Sequence, residues 1–357
     1  MSGKVRFGLI GTGLMGLEHI ANLALLPEAE LMAVADPTPS SLEWARQALG
    51  PRARGVGFHA DGAEMVRKEK LDAVIVSSPN HTHHDVLAPL FATDLHILCE
   101  KPLCTTVDAA ARVADRAARH KGVFWTGMEY RFMPPVTRFM EEVKDGAVGR
   151  LVMLSLREHR FPFLPKVGDW NRFNRNTGGT MVEKCCHFFD LMRAITGSEA
   201  VRVYCSGAMD VNHLDERYGG ERPDIIDNSY TVVDFANGQR AMLDLSMFAE
   251  GAENQEEITA VGDRGRLDVL IPAGELVYSP RVPKKTERRQ VAVDAEVLAA
   301  GHHHGATYFQ HRAFLDAILR DGPTLVTAED GYRAVRIGAA AELSAREKRS
   351  VALSEVI

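Results

Sequence analysis

The sequence predicts an α/β Rossmann domain, a doubly wound parallel sheet, followed by an α+β domain with a large, mostly antiparallel open sheet. Three observations carry this reading. The first 125 residues alternate short apolar, β-branched runs with longer helical stretches, the pattern of right-handed βαβ units. A G-x-G-x-x-G stands between the first apolar run and the first helical stretch. Beyond Pro134-Pro135 strands dominate and are joined by hairpin turns, so pairing there is antiparallel.

Element by element, residues 5–10 read as a strand and 16–25 as a helix. A strand at 31–35 and a helix at 40–49 follow, then a short strand at 56–59 and a helix at 61–69. Ala73-Val74-Ile75-Val76 is a run buried on both faces. A helix at 81–93 leads to the strand 96–99, an Ala-rich helix at 107–120 and a strand at 123–125. The second half opens with a helix at 136–144 and a long strand at 151–157, then a loop at 161–179 and one helix at 180–195. Strands are expected at 201–206, 230–235, 240–247, 257–261 and 267–270. Asn237-Gly238 and Asp263-Arg264-Gly265 are their hairpin turns, since both supply residues that tolerate positive φ. Helices at 307–319 and 328–345 close the chain. The expected division is 1–126 for the Rossmann domain and 127–357 for a substrate-binding and oligomerisation domain.

Composition bounds the function. The chain has 357 residues, 45% hydrophobic and 25% charged, with a formal net charge of -6. That length and composition allow two globular domains, and the acidic balance argues against a nucleic-acid partner. The dense run Lys284-Lys285-Thr286-Glu287-Arg288-Arg289 reads as a solvated hairpin or loop. Five cysteines, Cys99, Cys104, Cys185, Cys186 and Cys205, lack regular spacing, so a reducing, cytoplasmic setting is expected. The N-terminal apolar run is too short for a signal peptide, and the longest apolar runs are strand-length, so no membrane partner is expected.

The glycine motif is Gly11-Thr12-Gly13-Leu14-Met15-Gly16. Its glycines permit a tight turn and close approach of backbone N–H groups to a pyrophosphate at a helix N-terminus. Asp36 lies 20 residues after Gly16, at the end of the second strand, where an acid hydrogen-bonds a ribose 2′-hydroxyl. An acid there repels a 2′-phosphate, so the expected cofactor is NAD rather than NADP. Strand four ends in Ser77-Ser78-Pro79-Asn80-His81-Thr82-His83 and strand five in Glu100-Lys101-Pro102. Ligands of doubly wound sheets bind at these carboxyl ends, which makes Ser78, Pro79, Asn80, His83, Glu100 and Lys101 cofactor candidates. Pro102 removes a backbone donor and fixes the turn.

Glu100-Lys101-Pro102, with Pro79-Asn80-His81-Thr82-His83 and the glycine loop, resembles the glucose–fructose oxidoreductase, inositol dehydrogenase and rhizopine-catabolism (Gfo/Idh/MocA) family, over nearly the whole chain. The resemblance implies that Lys101 contacts both the nicotinamide cofactor and a substrate hydroxyl. It also implies a second motif, Gly178-Gly179, Glu183, His187 and Asp190, in which the family usually has Asp at the position of Glu183. Glu183 and His187 are four residues apart, so a continuous helix puts them on one face, able to relay a proton or share a substrate's hydroxyls. Lys101, His187 and Glu183 are the catalytic candidates, and the roles of Glu183 and of Lys184 behind it stay open.

Adjacent Cys185 and Cys186 diverge by about 100° on a helix, so they do not chelate one ion easily, and no metal is expected. Gly301-His302-His303-His304-Gly305 also lacks acids or cysteines at ligand spacing, and one of its histidines is an alternative pocket residue. The stretch from Arg157 to Arg172 is rich in forked donors and aromatic faces. It reads equally as a solvated loop or as a sugar-binding one. Arg131, Arg160, Trp170 and Asn171 are candidate substrate contacts beside Lys101, Glu183 and His187.

The resemblance implies an NAD-dependent oxidoreductase acting on a secondary alcohol of a sugar, sugar acid or inositol, assembled as a homodimer or homotetramer. Two alternatives stay open: a glycoside-cleaving enzyme that oxidises, eliminates and re-reduces, and a non-catalytic NAD-responsive binding protein.

Overall fold

The structure is a computed structural model that describes residues 3–356. Up to Phe132 the chain alternates strand and helix: β1 (Val5–Ile10), α1 (Leu14–Leu23), β2 (Ala29–Ala35), α2 (Pro39–Leu49), β3 (Gly57–His59), α3 (Gly62–Lys68), β4 (Ala73–Val76), α4 (His83–Leu90), β5 (His96–Glu100), α5 (Val107–Ala117) and β6 (Phe124–Gly127). The next part comprises α6 (Pro134–Lys144), β7 (Leu151–His159), α7 (Asn174–Thr177), α8 (Thr180–Glu183), α9 (Cys186–Thr196), β8 (Ala200–Ala208), β9 (Asn228–Phe235), β10 (Arg240–Ser246), β11 (Glu256–Gly262), β12 (Gly265–Ile271), β13 (Glu275–Pro280) and β14 (Glu287–Gln290). The chain ends with α10 (Ala295–Ala299), α11 (Ala306–Leu319), α12 (Ala328–Glu347) and β15 (Val351–Ala352).

The first compact unit is the chain up to Phe132 with Lys166–Gly168 and Asp294–Tyr332. Its sheet has six parallel strands in the order β3-β2-β1-β4-β5-β6. All four side chains of β4 are completely buried, as a strand covered on both faces requires. Strand order reverses between β1 and β4, so the turns leaving those two strands lie side by side, where such sheets bind ligands. A cut at 126/127 does not divide the molecule in this way. Phe314 on α11 packs on Phe7 (ring centroids 6.3 Å apart) and Trp125 (5.9 Å), and this apolar contact draws 294–332 into the first unit.

The second unit is Met133–Pro165, Asp169–Val293 and Arg333–Ile357. Its nine-stranded sheet runs β14-β13-β12-β11-β7-β10-β9-β8-β15. Only β7 and β10 pair in parallel, and every other pair is antiparallel. Alternation sets the faces. On β9, Ser229, Thr231, Val233 and Phe235 are buried while Tyr230 and Val232 are exposed. Gly238 takes positive φ in the β9–β10 turn, but none of Asp263, Arg264 and Gly265 does. The basic run becomes the β13–β14 hairpin, with β14 exposed along its length.

The expected helix at 180–195 is two helices. Cys185 N–H reaches back five residues to the Thr180 carbonyl (3.1 Å), and Cys185 then starts α9. The widened turn coincides with Lys184, whose buried ammonium pairs with buried Glu158 on β7 at 2.9 Å. All five cysteines are buried and none forms a disulfide. No helix among the described residues is long and apolar enough to cross a membrane.

Candidate functional site

The turn from β1 into α1 is a backbone cradle. Gly11 takes φ +94, and a Cβ there would stand 2.6 Å from the Ser77 carbonyl and the Ser78 nitrogen. A Cβ on Gly16 would strike the Gly11 carbonyl oxygen, whereas around Gly13 nothing lies within 4 Å. Gly13 caps α1 without a side-chain hydrogen bond, so the first N–H groups of the helix, at Leu14, Met15 and Gly16, face outward without intrahelical partners. Leu14 itself is exposed. Thr12 is turned inward: its N–H (2.9 Å) and Oγ1 (3.3 Å) both donate to Asp36 Oδ2. Asp36 Oδ1 accepts from Thr38 N–H at 2.8 Å. A carboxylate oxygen has two lone pairs, so Asp36 ties the loop and keeps acceptor capacity.

The ends of β4 and β5 are cross-linked beside this cradle. Ser77 Oγ donates to the Gly11 carbonyl (2.7 Å), and Thr82 Oγ1 donates to the Pro79 carbonyl (2.7 Å) and lies 2.8 Å from Ser78 Oγ, whose hydroxyl can donate to it. Asn80 is buried, and its Nδ2 meets no acceptor among the described residues. An orphaned buried donor next to an open glycine turn fits a polar ligand such as a dinucleotide. The sequence placed His83 on that cofactor. Its ring is a buried strut, with Nδ1 2.9 Å from the Pro102 carbonyl and Nε2 3.0 Å from that of Ser78. Burial holds this imidazole below its ordinary pKa, against the pull of the two carbonyls.

Glu100 is the last residue of β5 and is buried. Its Oε2 accepts the Lys101 N–H at 3.2 Å, and its Oε1 lies 3.2 Å from His19 Nε2. The Lys101–Pro102 peptide is cis. Burial pushes the Glu100 carboxyl up, but His19 and the Lys101 charge outweigh it and hold it below the ordinary value. Glu129, just after β6, is pushed up to about 7 by burial and by the charge of Glu100. Two neighbouring acids with their pKa values driven apart are characteristic of proton-handling sites. Arg131, expected at the substrate, donates to the Leu325 carbonyl (2.9 Å) and approaches Asp330 (3.5 Å); it braces the first unit.

In the second unit Gly178 and Gly179 take φ of +80 and +91. The side where Gly179 would carry a Cβ is filled by the Glu342 carboxylate of α12, which accepts the Met181 N–H at 3.0 Å. Glycine is therefore required there for shape as well as for φ. Glu183, His187 and Asp190 are all buried. The break at Cys185 puts Glu183 at the end of α8 and His187 near the start of α9, so the expected face of one continuous helix does not exist. Lys184 pairs with Glu158, which Arg160 also approaches at 3.5 Å. Arg160 also lies over the Phe161 ring. Asn171 is buried, donating Nδ2 to the Leu164 carbonyl (3.1 Å), while its Oδ1 meets no donor among the described residues. Trp170 is half-buried, and its carbonyl accepts from Asn176 at 3.0 Å.

Sequence reasoning missed Glu158, although alternation points to it. It has the inward phase of Leu154 and Leu156 on β7, so an acid there is committed to the interior. It also missed His19 and His311, polar residues on the apolar faces of their helices. His303 is engaged by Glu18, Nδ1 to Oε1 2.9 Å.

Residues 5–128 match the NAD-binding Rossmann fold of the Gfo/Idh/MocA oxidoreductase family, and residues 140–353 match the same family's C-terminal alpha/beta domain. The myo-inositol 2-dehydrogenase of Thermotoga maritima is 27% identical over 353 residues, covering 99% of this chain and 100% of that one. The inositol 2-dehydrogenase of Rhizobium meliloti is 24% identical over 358 residues, covering 98% and 99%. Levoglucosan dehydrogenase, solved with NADH and levoglucosan, has a TM-score of 0.82 over 98% of this chain and 99% of that one, at 22% identity, a likeness of fold.

Proposed function

The chain belongs to the Gfo/Idh/MocA oxidoreductase family and is an NAD-dependent enzyme, and from that premise we propose that it oxidises a secondary alcohol of an inositol-like cyclitol, a sugar or a sugar acid, or runs the reverse reduction. The observation that carries the reading is the position of Lys101, at the carboxyl end of β5 beside a buried, ionised Glu100. The inositol dehydrogenases among its relatives support the cyclitol class.

The backbone of Gly11, Gly13, Leu14, Met15 and Gly16 would hold the pyrophosphate, Asp36 a ribose, and Ser78, Pro79, Asn80 and Glu100 the nicotinamide half. When bound, NAD supplies the acceptor for the hydride that leaves the alcohol carbon. The Lys101 ammonium stabilises the alkoxide that develops as the hydroxyl loses its proton, and polarises the carbonyl in reverse. His187 takes that proton, with Glu183 and Asp190 tuning it. The ordinary imidazole pKa, about 6.5, suits such a base. Arg160, Trp170 and Asn171 are the substrate contacts of this scheme; the bracing of Arg131 on Leu325 and Asp330 leaves it the weakest of them.

The test is a panel of inositols, hexoses and sugar acids screened for NADH formation at 340 nm. A robust rate with one class and none with simple alcohols is expected. Product without accumulated NADH selects the glycoside-cleaving mechanism instead. NAD binding with no turnover of any member selects a binding protein.

The assembly proposed is a homodimer or homotetramer formed through the uncovered face of the second sheet, in a reducing, cytoplasmic setting. Tyr204, Val232 and Met242 stand side by side across β8, β9 and β10 and are exposed, with Tyr230 at 63% and Met153 at 52%. An apolar row of this kind on an open sheet calls for a cover, and a second copy of the same face provides one. A monomeric mass by light scattering at micromolar concentration rules this out.

A further inference from the structure

The lysine end of the site is backed by a buried chain of two histidines that no step above uses. His19 sits on α1 with a fully buried side chain, its Nε2 3.2 Å from Glu100 Oε1, an approach at ion-pair distance that lies off the direction of a hydrogen bond. Its Nδ1 lies 2.9 Å from Nε2 of His311 on α11. His311 is likewise buried, and its Nδ1 meets no partner among the described residues.

Proton counting fixes the direction of this chain. Ionised Glu100 only accepts, so His19 Nε2 carries a hydrogen. The nitrogen–nitrogen bridge holds one more. Were it on His19, that ring would be an imidazolium, and the hydrogen of His311 would sit on Nδ1 as a buried donor with no acceptor. Orphaned buried N–H groups are rare in folded proteins because they forfeit a whole hydrogen bond. With the hydrogen on His311 Nε2, only a lone pair is left bare. Both rings are then neutral Nε2–H tautomers, and both N–H groups lie on the Glu100 side of their rings: His311 toward His19, His19 toward Glu100.

We propose that His19 and His311 are positioning residues for the reaction, a directed chain of one hydrogen bond and one contact at ion-pair distance that keeps Glu100 an anion and fixes it against Lys101. The inference rests on the assignment of Lys101 to the chemistry. With Oε1 held by His19, Glu100 Oε2 is placed to accept the Lys101 N–H and its charge favours the ammonium over the amine. The charged and titratable groups facing the chain are Lys101, Glu129 and His83 around Glu100, and Glu18, paired with His303, on the side of His311.

His19→Leu and His311→Leu should each lower kcat about 10-fold, in line with loss of an orienting partner, while KM for NAD moves less than a few-fold. The sign of the pH effect follows from burial. Without the donor, burial raises the Glu100 pKa, and activity that needs the anion is lost at higher pH as the pH falls. The acid limb of kcat/KM therefore moves up by roughly one pH unit. His19→Gln is the decisive variant. Its amide N–H faces Glu100 and its amide oxygen accepts from His311, as the Nε2–H tautomer does, so it should recover kcat to within about three-fold of wild type and restore the acid limb. Neither a packing role nor an imidazolium is rescued by glutamine, so a His19→Gln enzyme as impaired as His19→Leu overturns the proposal. ¹⁵N-histidine NMR of the ligand-free wild-type chain should show both rings as neutral Nε2–H tautomers at pH 7. An imidazolium, or an Nδ1–H tautomer at either ring, overturns the chain even if the leucine variants do not fold. Retention of full kcat by Lys101→Ala instead removes the role of the lysine, and the NMR result is unaffected.

Discussion

The two units handle buried charge by different means. In the first, buried carboxylates on α1 and at the end of β5 are matched to histidines. Glu18 is buried, yet its bonds to His303, Thr307 and the His302 N–H bring it down to about 2, and Glu100 is held ionised beside His19. Glu18 stands on the first helix after the glycine turn and Glu100 ends β5, so the frame of the parallel sheet fixes both whether or not they react. In the second unit the buried acids hold the scaffold itself. Lys184 reaches from the break between α8 and α9 to Glu158 on β7, and Glu342 of α12 fills the space beside Gly179. Changes in the first unit should therefore act on kinetics alone, whereas changes in the second should act on kinetics and stability together.

The largest effects are expected at the two proposed acid–base groups. Lys101→Ala and His187→Ala should each lower kcat by about 10²–10⁴-fold, the usual worth of such groups, with NAD affinity by fluorescence titration within a few-fold. The comparison predicts a difference in their melts: Lys101→Ala unfolds like wild type, while His187→Ala, emptying a buried position on α9, melts lower. Near-wild-type kcat in either variant removes that residue's role. Loss of NAD binding in Lys101→Ala makes the strand end a cofactor clamp and moves the proton chemistry elsewhere.

Next is the ion pair. Lys184→Met leaves Glu158 buried, with Arg160 at 3.5 Å, and breaking a buried pair from one side costs roughly 3–5 kcal/mol. Urea unfolding should register that loss, and the double variant Glu158→Met/Lys184→Met should recover most of it. A single variant within about 1 kcal/mol of wild type means that water reaches the pair and that α8 is not held through it.

The same contrast explains what could be read in advance. The glycine loop, Asp36 and Glu100-Lys101-Pro102 are short contiguous words whose place at strand ends follows from βαβ order, so the first unit's fold and cradle were legible residue by residue. The helix break was not. Residues 180–195 carry a helical pattern without a glycine or proline, and only the pull of Glu158 from a strand twenty-odd residues earlier accompanies the widened turn. The structural contacts of Arg131 and His83 were hidden for a related reason. Each has the chemistry of a ligand contact, and each also contacts protein groups, Leu325 and Asp330 for Arg131, Ser78 and Pro102 for His83, two of which are distant in sequence. The return of 294–332 to the first unit was likewise hidden, because an apolar helix face does not name its partner.

Glu342 offers a pH test of the second unit. Burial raises its carboxyl from 4.5 to about 7. An acid with a raised folded pKa binds more protons folded than unfolded, so its stabilisation is complete below about 4.5 and is lost as the pH rises through about 7. Glu342→Gln keeps an acceptor for Met181 N–H and carries no charge. It should match wild type near pH 5 and exceed it near pH 8.5 by up to roughly 3 kcal/mol, at about 1.4 kcal/mol per pKa unit. Thermal melts at the two pH values decide it, and an equal difference at both means that Glu342 is not neutral in the folded protein at the lower pH.

The smallest effect expected is at Asp36, where the first unit combines both strategies in one side chain. The carboxylate ties the glycine loop through Thr12 and its own turn through Thr38, and it is the group proposed to accept from the NAD ribose. Asp36→Ala removes that acceptor and also the charge that repels a 2′-phosphate. The ratio of kcat/KM for NAD over NADP should therefore fall about ten-fold, chiefly through weaker NAD. The loop tie must be separated from the charge. Thr12→Val removes only the 3.3 Å hydroxyl bond and leaves the carboxylate and the backbone bond in place, so the ratio should stand while both cofactors bind slightly worse. If Asp36→Ala depresses both cofactors alike and leaves the ratio unchanged, the residue is a loop brace only. Cofactor choice then lies in groups other than the one acid at the end of β2, and the first unit would resemble the second, with charge spent on holding the scaffold.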